Sequence, residues 1–154
     1  MNDFGKFRVW CINFQMWEKH QCAVDTAGIL YHLFKRGWIP LRDDTHIVEW
    51  YIGRRDRDDV PIHEGDIVEC EFQMATFCGE APKEYDRLVN LDGDKYYYRN
   101  LTGLVKRGYD GFVVEKVGPD DSDEHFYDPM GMNFSWEWCW VIGNIHDNPE
   151  LLKS

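Results

Sequence analysis

The stretch from His46 to Phe72, HIVEWYIGRRDRDDVPIHEGDIVECEF, limits the folds open to this chain more than any other. Two runs rich in β-branched and aromatic residues, Ile47 to Ile52 and Ile67 to Phe72, flank a polar segment from Gly53 to Pro61. That pattern reads as a strand, a charged surface loop and a second strand. Glu64-Gly65-Asp66 launches the second strand: glycine takes a positive φ without steric cost, and the aspartate can accept hydrogen bonds from nearby backbone amides. Alternation then puts Ile67, Glu69 and Glu71 on one face and Val68, Cys70 and Phe72 on the other.

The rest of the chain follows the same grammar. Lys6 to Phe14 alternates as a first strand. Ala27 to Trp38 is read as a helix, with Asp25 or Thr26 as its cap, Ala27, Leu30, Tyr31 and Phe34 at helical spacing, and Gly37 to close it. The same run also alternates as a strand, and that alternative stays open. Asp92-Gly93 marks a tight turn before Tyr96 to Arg99 and Gly103 to Lys106, and Arg107 to Gly111 turns the chain into Phe112 to Val117. An acidic loop, Gly118 to Asp128, precedes a last strand from Asn133 to Ile145. There Phe134, Trp136, Trp138 and Trp140, spaced two apart, are expected on one face. Gly143 predicts a bulge or a close approach, and Asn148-Pro149 ends the pairing. Many short strands, turns and at most one short helix predict a mainly β, small barrel-like domain (SH3-like or related) over residues 1–154.

Composition narrows the function classes. A net charge of −11 repels a phosphate backbone, so generic nucleic-acid binding is disfavoured. A hydrophobic fraction of 44% excludes a disordered chain. No run approaches the roughly 20 apolar residues of a membrane span, and no basic-then-apolar leader opens the chain. The expectation is no membrane partner and a place in the cytoplasm. The five cysteines, Cys11, Cys22, Cys70, Cys78 and Cys139, show no C-x-x-C spacing and are expected as reduced thiols, with Cys70 and Cys139 acting as small hydrophobes in strands.

Catalytic signals are weak. Ser122, Ser135 and Ser154 stand in no nucleophile elbow, no glycine-rich phosphate loop opens a helix, and no pair among His20, His32, His46, His63, His125 and His146 has chelating helical spacing. The acidic residues Asp120, Asp121, Asp123 and Glu124 lack the ligand ladder of a calcium loop. No catalytic residue, cofactor or metal is expected. Binding has more support. Arg54, Arg55 and Arg57 follow the aromatic strand end Trp50-Tyr51, where guanidinium groups and rings can face a planar anion. The plainer reading pairs these arginines with Asp56, Asp58 and Asp59 as an ordinary charged loop. Trp136, Trp138 and Trp140 are read as core or subunit interface before ligand platform.

Three motifs carry a family resemblance. Tyr51 to Cys70, YIGRRDRDDVPIHEGDIVEC, resembles the signature of the YopX-like family of phage and prophage proteins: Tyr-Thr-Gly, a charged loop, then Ile-Tyr-Glu-Gly-Asp-Ile-Val. Lys6 to Trp10 (KFRVW) resembles the family's opening, and Val141 to Leu152 (VIGNIHDNPELL) its close. Gly53, Gly65, Asp66, Gly143, Asn144 and Pro149 fall inside these motifs as structural positions. The resemblance implies one small, mostly β domain that assembles into homo-oligomers, and no established activity. The function expected is non-catalytic: capture of a host protein or a small anionic, nucleotide-like ligand in the bacterial cytosol, perturbing host defence. The rival readings are a nucleotide- or protein-modifying enzyme with a site assembled in space, and a purely structural assembly protein.

Overall fold

The computed structural model describes residues 7–74, 79–109, 111–117, 125–126 and 136–153. The protein is mainly β, with 57% of residues in strands and the two larger sheets curled as half-barrels. Among the described residues, no helix is long and apolar enough to cross a membrane. The acidic loop, Cys78, His125's side chain and Phe134 lie outside what is described.

The chain divides into two compact units, Met1–Tyr51 and Ile52–Ser154. In the first, β1 (Phe7–Cys11) pairs antiparallel with β2 (Met16–Trp17), while β3 (Cys22–Val24), β4 (Leu30–Phe34) and β5 (Gly37–Pro40) form a three-stranded sheet. β6 (His46–Arg55) runs along β1 with Phe7 opposite Trp50 and Cys11 opposite His46. Glu49, buried on β6, is neutralised by Arg8, whose Nε donates to Oε2 at 2.8 Å, and the Arg8 guanidinium lies over the Trp17 ring at 4.5 Å. A buried carboxylate is tolerable only with such a partner.

The helix expected over Ala27 to Trp38 is corrected. These residues form the β4–β5 hairpin, with Lys35 at φ 56° in its turn. The reason lies in Asp25. Its Oδ1 accepts the amides of Ala27 and Ile29, both at 2.9 Å, and so closes the β3–β4 turn with the carboxylate that would otherwise cap a helix. An aspartate serves either role, and here pairing on both edges of β4 decides between them.

In the second unit, β7 (Pro61–His63) leads to β8 (Asp66–Met74). β8 is flanked by β10 (Asp94–Arg107) and β13 (Cys139–Asn144); β9 (Arg87–Leu91), β11 (Phe112–Lys116) and β12 (His125–Phe126) complete the six-stranded sheet. The two short strands expected around residues 96–106 are one 14-residue strand, and β9 joins it through the Asp92-Gly93 turn. Ile62, Val68, Cys70, Val105, Val114, Trp136 and Cys139 form the core, with Ile52, Phe72, Phe112 and Val141 packed against it.

Two cysteine expectations are corrected here. Cys70 and Cys139, directly opposite on β8 and β13 and fully buried, are joined in a disulfide rather than standing as free thiols. Cys11 and Cys22 are free. The alternation rule fails for the same reason that it cannot see pairing: residues 69 apart in sequence become neighbours only through strand order.

The Glu64-Gly65-Asp66 turn holds three strands together. Gly65, at φ 83°, donates its amide to the Val105 carbonyl at 2.9 Å, while its own carbonyl accepts the Ile145 amide and the Asn144 Nδ2, both at 3.0 Å. Asp66, almost fully buried, accepts the His63 amide at 2.7 Å. On β13 the register shifts between Val141 and Gly143, a bulge at the expected glycine. A Cβ at Gly143 would meet Asn148 Oδ1 at 2.8 Å and Leu151 Cδ1 at 2.9 Å, because the 3-10 turn Pro149–Lys153 folds against it. Gly143→Ala is expected to lower stability by about 1–3 kcal/mol, seen as a lower urea midpoint; an unchanged midpoint would refute this close packing. Alkylating the denatured protein without reductant should leave Cys70 and Cys139 unlabelled, and label at either would contradict the disulfide.

Candidate functional site

The charged loop after β6 is built around one aspartate. Asp56 is buried, and its Oδ1 accepts the amides of Asp58 at 2.9 Å and Val60 at 2.8 Å, while Oδ2 accepts the Val141 amide of β13 at 2.9 Å. Arg57 adds a second strap, its amide donating to the Cys139 carbonyl at 3.0 Å. The loop is therefore fixed to β13, and the Arg57 guanidinium lies over the Trp140 ring, 5.2 Å from its centroid. Neither the arginine cluster nor the simple Arg–Asp loop describes it fully. Arg55 turns to Asp59, donating to its carbonyl at 2.7 Å, with Nε 3.7 Å from Oδ1. Arg54 is exposed, and among the described residues neither Arg54 nor Arg57 has a carboxylate within ion-pair distance. Trp50 belongs to the first unit, where its ring packs on Phe7 at 5.3 Å; Tyr51 ends that unit, half-buried.

Arg57 instead lines an open cleft of about 320 Å³ with Glu71, Arg87, Tyr98, Glu137 and Trp138. Register explains the assembly. Arg87 on β9 lies opposite Tyr98 on β10, and its guanidinium stacks over that ring at 4.2 Å. Glu71 on β8 lies opposite Asn100, two residues along the same face of β10, and takes Arg87 through both oxygens, Nε–Oε2 at 3.0 Å and Nη2 on Oε1. That carboxylate holds the Arg87 pKa above its ordinary value.

The far wall comes from a correction to the tryptophan stripe. Trp136–Trp138 is a 3-10 turn, and the strand begins only at Cys139. At three residues per turn, positions 136 and 138 no longer share a face. Trp136 enters the core, Trp138 is 41% exposed at the cleft, and Trp140 lies under Arg57. Two guanidinium and two carboxylate groups leave the cleft without net formal charge, so what distinguishes it is Arg57, set on the Trp140 ring with no carboxylate partner among the described residues.

A second polar cluster lies in the first unit. Donor atoms of Glu18, His20 and His32 all stand within 4.8 Å of one another. The His20 amide donates to Glu18 Oε1 at 3.0 Å, and its Nδ1 lies 2.5 Å from the same oxygen. Burial would raise the Glu18 carboxyl, but the His20 amide, ring and charge outweigh it and hold it below the ordinary value. Next to it, burial and the Glu18 charge push the Cys22 thiol up to about 11. Spacing along the chain points to neither cluster: helical i, i+4 spacing does not apply to His20, in the bend before β3, and His32 on β4, and nothing local marks Arg87 as the partner of Glu71.

The family model described as YopX protein matches residues 6–153. The chain belongs to the YopX family. Its fold is similar to the crystal structure of protein EF1440 from Enterococcus faecalis, at a TM-score of 0.53 and 21% identity over 96% of each chain. A comparison with curated proteins found no match. The central and closing motifs fall on parts that hold the second unit together: Gly65, Asp66, Gly143 and Asn144 around the three-strand turn, Pro149 opening the terminal 3-10 turn, and Gly53 at φ 81° on β6. The cleft residues Arg87, Tyr98 and Glu137 lie outside the motif matches.

Asp56→Ala strips three amides of their acceptor and is expected to cost about 3 kcal/mol, read by thermal or urea unfolding. Asp58→Ala, at an exposed position, should stay within about 0.5 kcal/mol of the parent; equal losses would refute the Asp56 strap.

Proposed function

We propose that the protein is a non-catalytic binding protein of a phage or prophage that works as a homo-oligomer in the bacterial cytosol and captures a host protein to blunt host defence. The observation that carries the reading is the cleft: Arg57, strapped through its backbone and without an ion-pair partner among the described residues, stands with Tyr98 and exposed Trp138. Arginine, tyrosine and tryptophan dominate binding hot spots because they combine large contact area with directed hydrogen bonds. The open shape suits an inserted side chain, an acidic group of the partner meeting Arg57. The chain's charge of −11 suits a partner with a basic surround. The cancelled charge of the lining argues against a polyanion. A small planar anion, such as a nucleotide lying on an aromatic face, is the second reading, supported by the same guanidinium, which no carboxylate among the described residues pairs. In the cytosol, full burial shields the Cys70–Cys139 bond from exchange with soluble thiols.

The test is crosslinking and affinity capture in host cells, compared between the parent, Arg57→Ala and Trp138→Ala. The proposal expects one host protein crosslinked at the cleft, with affinity falling about 30-fold or more in each variant, as for a hot-spot residue losing 2 kcal/mol. A small-molecule adduct in native mass spectrometry that is lost in Arg57→Ala would favour the second reading. Capture that both variants leave unchanged would overturn the cleft as the site.

A further inference from the structure

We propose that Glu18, His20 and His32 form a site for one transition-metal ion of the zinc type, independent of the cleft. The three donors approach within 4.8 Å of one another, whereas ligands about 2.1 Å from a shared tetrahedral ion stand roughly 3.4 Å apart. Side-chain adjustments of about an ångström close that difference. The backbone already sets the approach. The Glu18 amide is bonded to the Val9 carbonyl on β1 at 2.8 Å, and the Leu33 amide to the Gln21 carbonyl at 2.8 Å, which brings the segment before β3 alongside β4. Cys22 lies directly opposite His32, so His20, two residues before it, projects on the same face; the two imidazoles meet edge-to-face at 5.7 Å.

Three further features fit a ligand set. The Glu18 side chain is only 13% exposed and its Oε1 lies beside the His20 ring. The Nδ1 of His32 is buried with no hydrogen-bond partner, so its ring is committed to no other polar group there. His20 is half-exposed, which leaves a solvent-facing side for a fourth ligand, as in three-residue zinc sites. Two imidazoles and one carboxylate select zinc, cobalt or nickel over calcium and magnesium, which take oxygen ligands. Bound there, the ion pins the β3–β4 hairpin to the segment leaving β2.

The test takes the full chain, stripped with chelator, and titrates it with zinc, with cobalt and with calcium. One zinc per chain is expected, together with a cobalt spectrum of tetrahedral type, a melting temperature raised by zinc, and no response to calcium. His20→Gln, at a half-exposed position, should leave the metal-free melting temperature unchanged and weaken zinc by more than about tenfold, the loss that even an outer-shell partner's removal causes. His32→Gln should do the same, and loss of tight binding with an intact fold supports the site. No stoichiometric zinc binding by the parent, or binding that both variants leave intact, overturns it.

Discussion

The structure of the second unit depends on one shared backbone position. Gly65 gives its amide to β10 and its carbonyl to β13 while it starts β8, so three strands meet at a residue with no side chain to intervene. Buried backbone groups must find partners, and here each finds one on a different strand. Asn144 makes the arrangement self-consistent. Its Nδ2 reaches the Gly65 carbonyl at 3.0 Å and Asp66 Oδ1 at 3.5 Å, while its Oδ1 takes the His146 amide at 2.9 Å. Polar networks of this kind are costly when half-made and rigid when complete. The bulge at Gly143 belongs to the same device, because it delivers Asn144 to the turn and leaves room for the terminal 3-10 turn.

From this frame the cleft follows. β13, held at one end by Asn144 and near the other by Cys139, supplies the Val141 amide and the Cys139 carbonyl to which the Asp56 loop is strapped. The loop in turn carries Arg57 to the aromatic wall. A side chain held by packing and backbone bonds loses less entropy on binding than one on a mobile loop, which is why binding residues gain from such support. Arg87 is the counter-example in the same cleft: paired with Glu71 and stacked on Tyr98, it is already engaged and contributes shape more than charge.

Much of this was legible in the sequence where the signal is local. The two strands around the Arg-rich loop, the Gly65 turn, the Asp92-Gly93 turn and the Gly143 bulge all follow from residue chemistry within a few positions. What failed was non-local or degenerate. Ala27 to Trp38 fits both periods, and only the neighbours Cys22–Val24 and Gly37–Pro40 decide it as strand. The tryptophan spacing fits period two, and nothing local shows that a 3-10 turn precedes Cys139. The Cys70–Cys139 bond, the Arg87–Glu71 pair and the Glu18, His20 and His32 group each join residues whose nearness is created by strand order. No spacing rule encodes that. In the sequence Asp56 is one of three aspartates in a charged loop, whereas its burial and three amide contacts make it the centre of that loop.

The claim that the Gly65 turn locks β8, β10 and β13 together is tested most directly by native-state hydrogen exchange of individual amides. The account predicts that the amides of Gly65 and Ile145 exchange only through global unfolding, with the same opening free energy as core amides such as Val68. Exchange of these amides at the rate of an exposed turn amide such as Gly93, while Val68 stays protected, would contradict it.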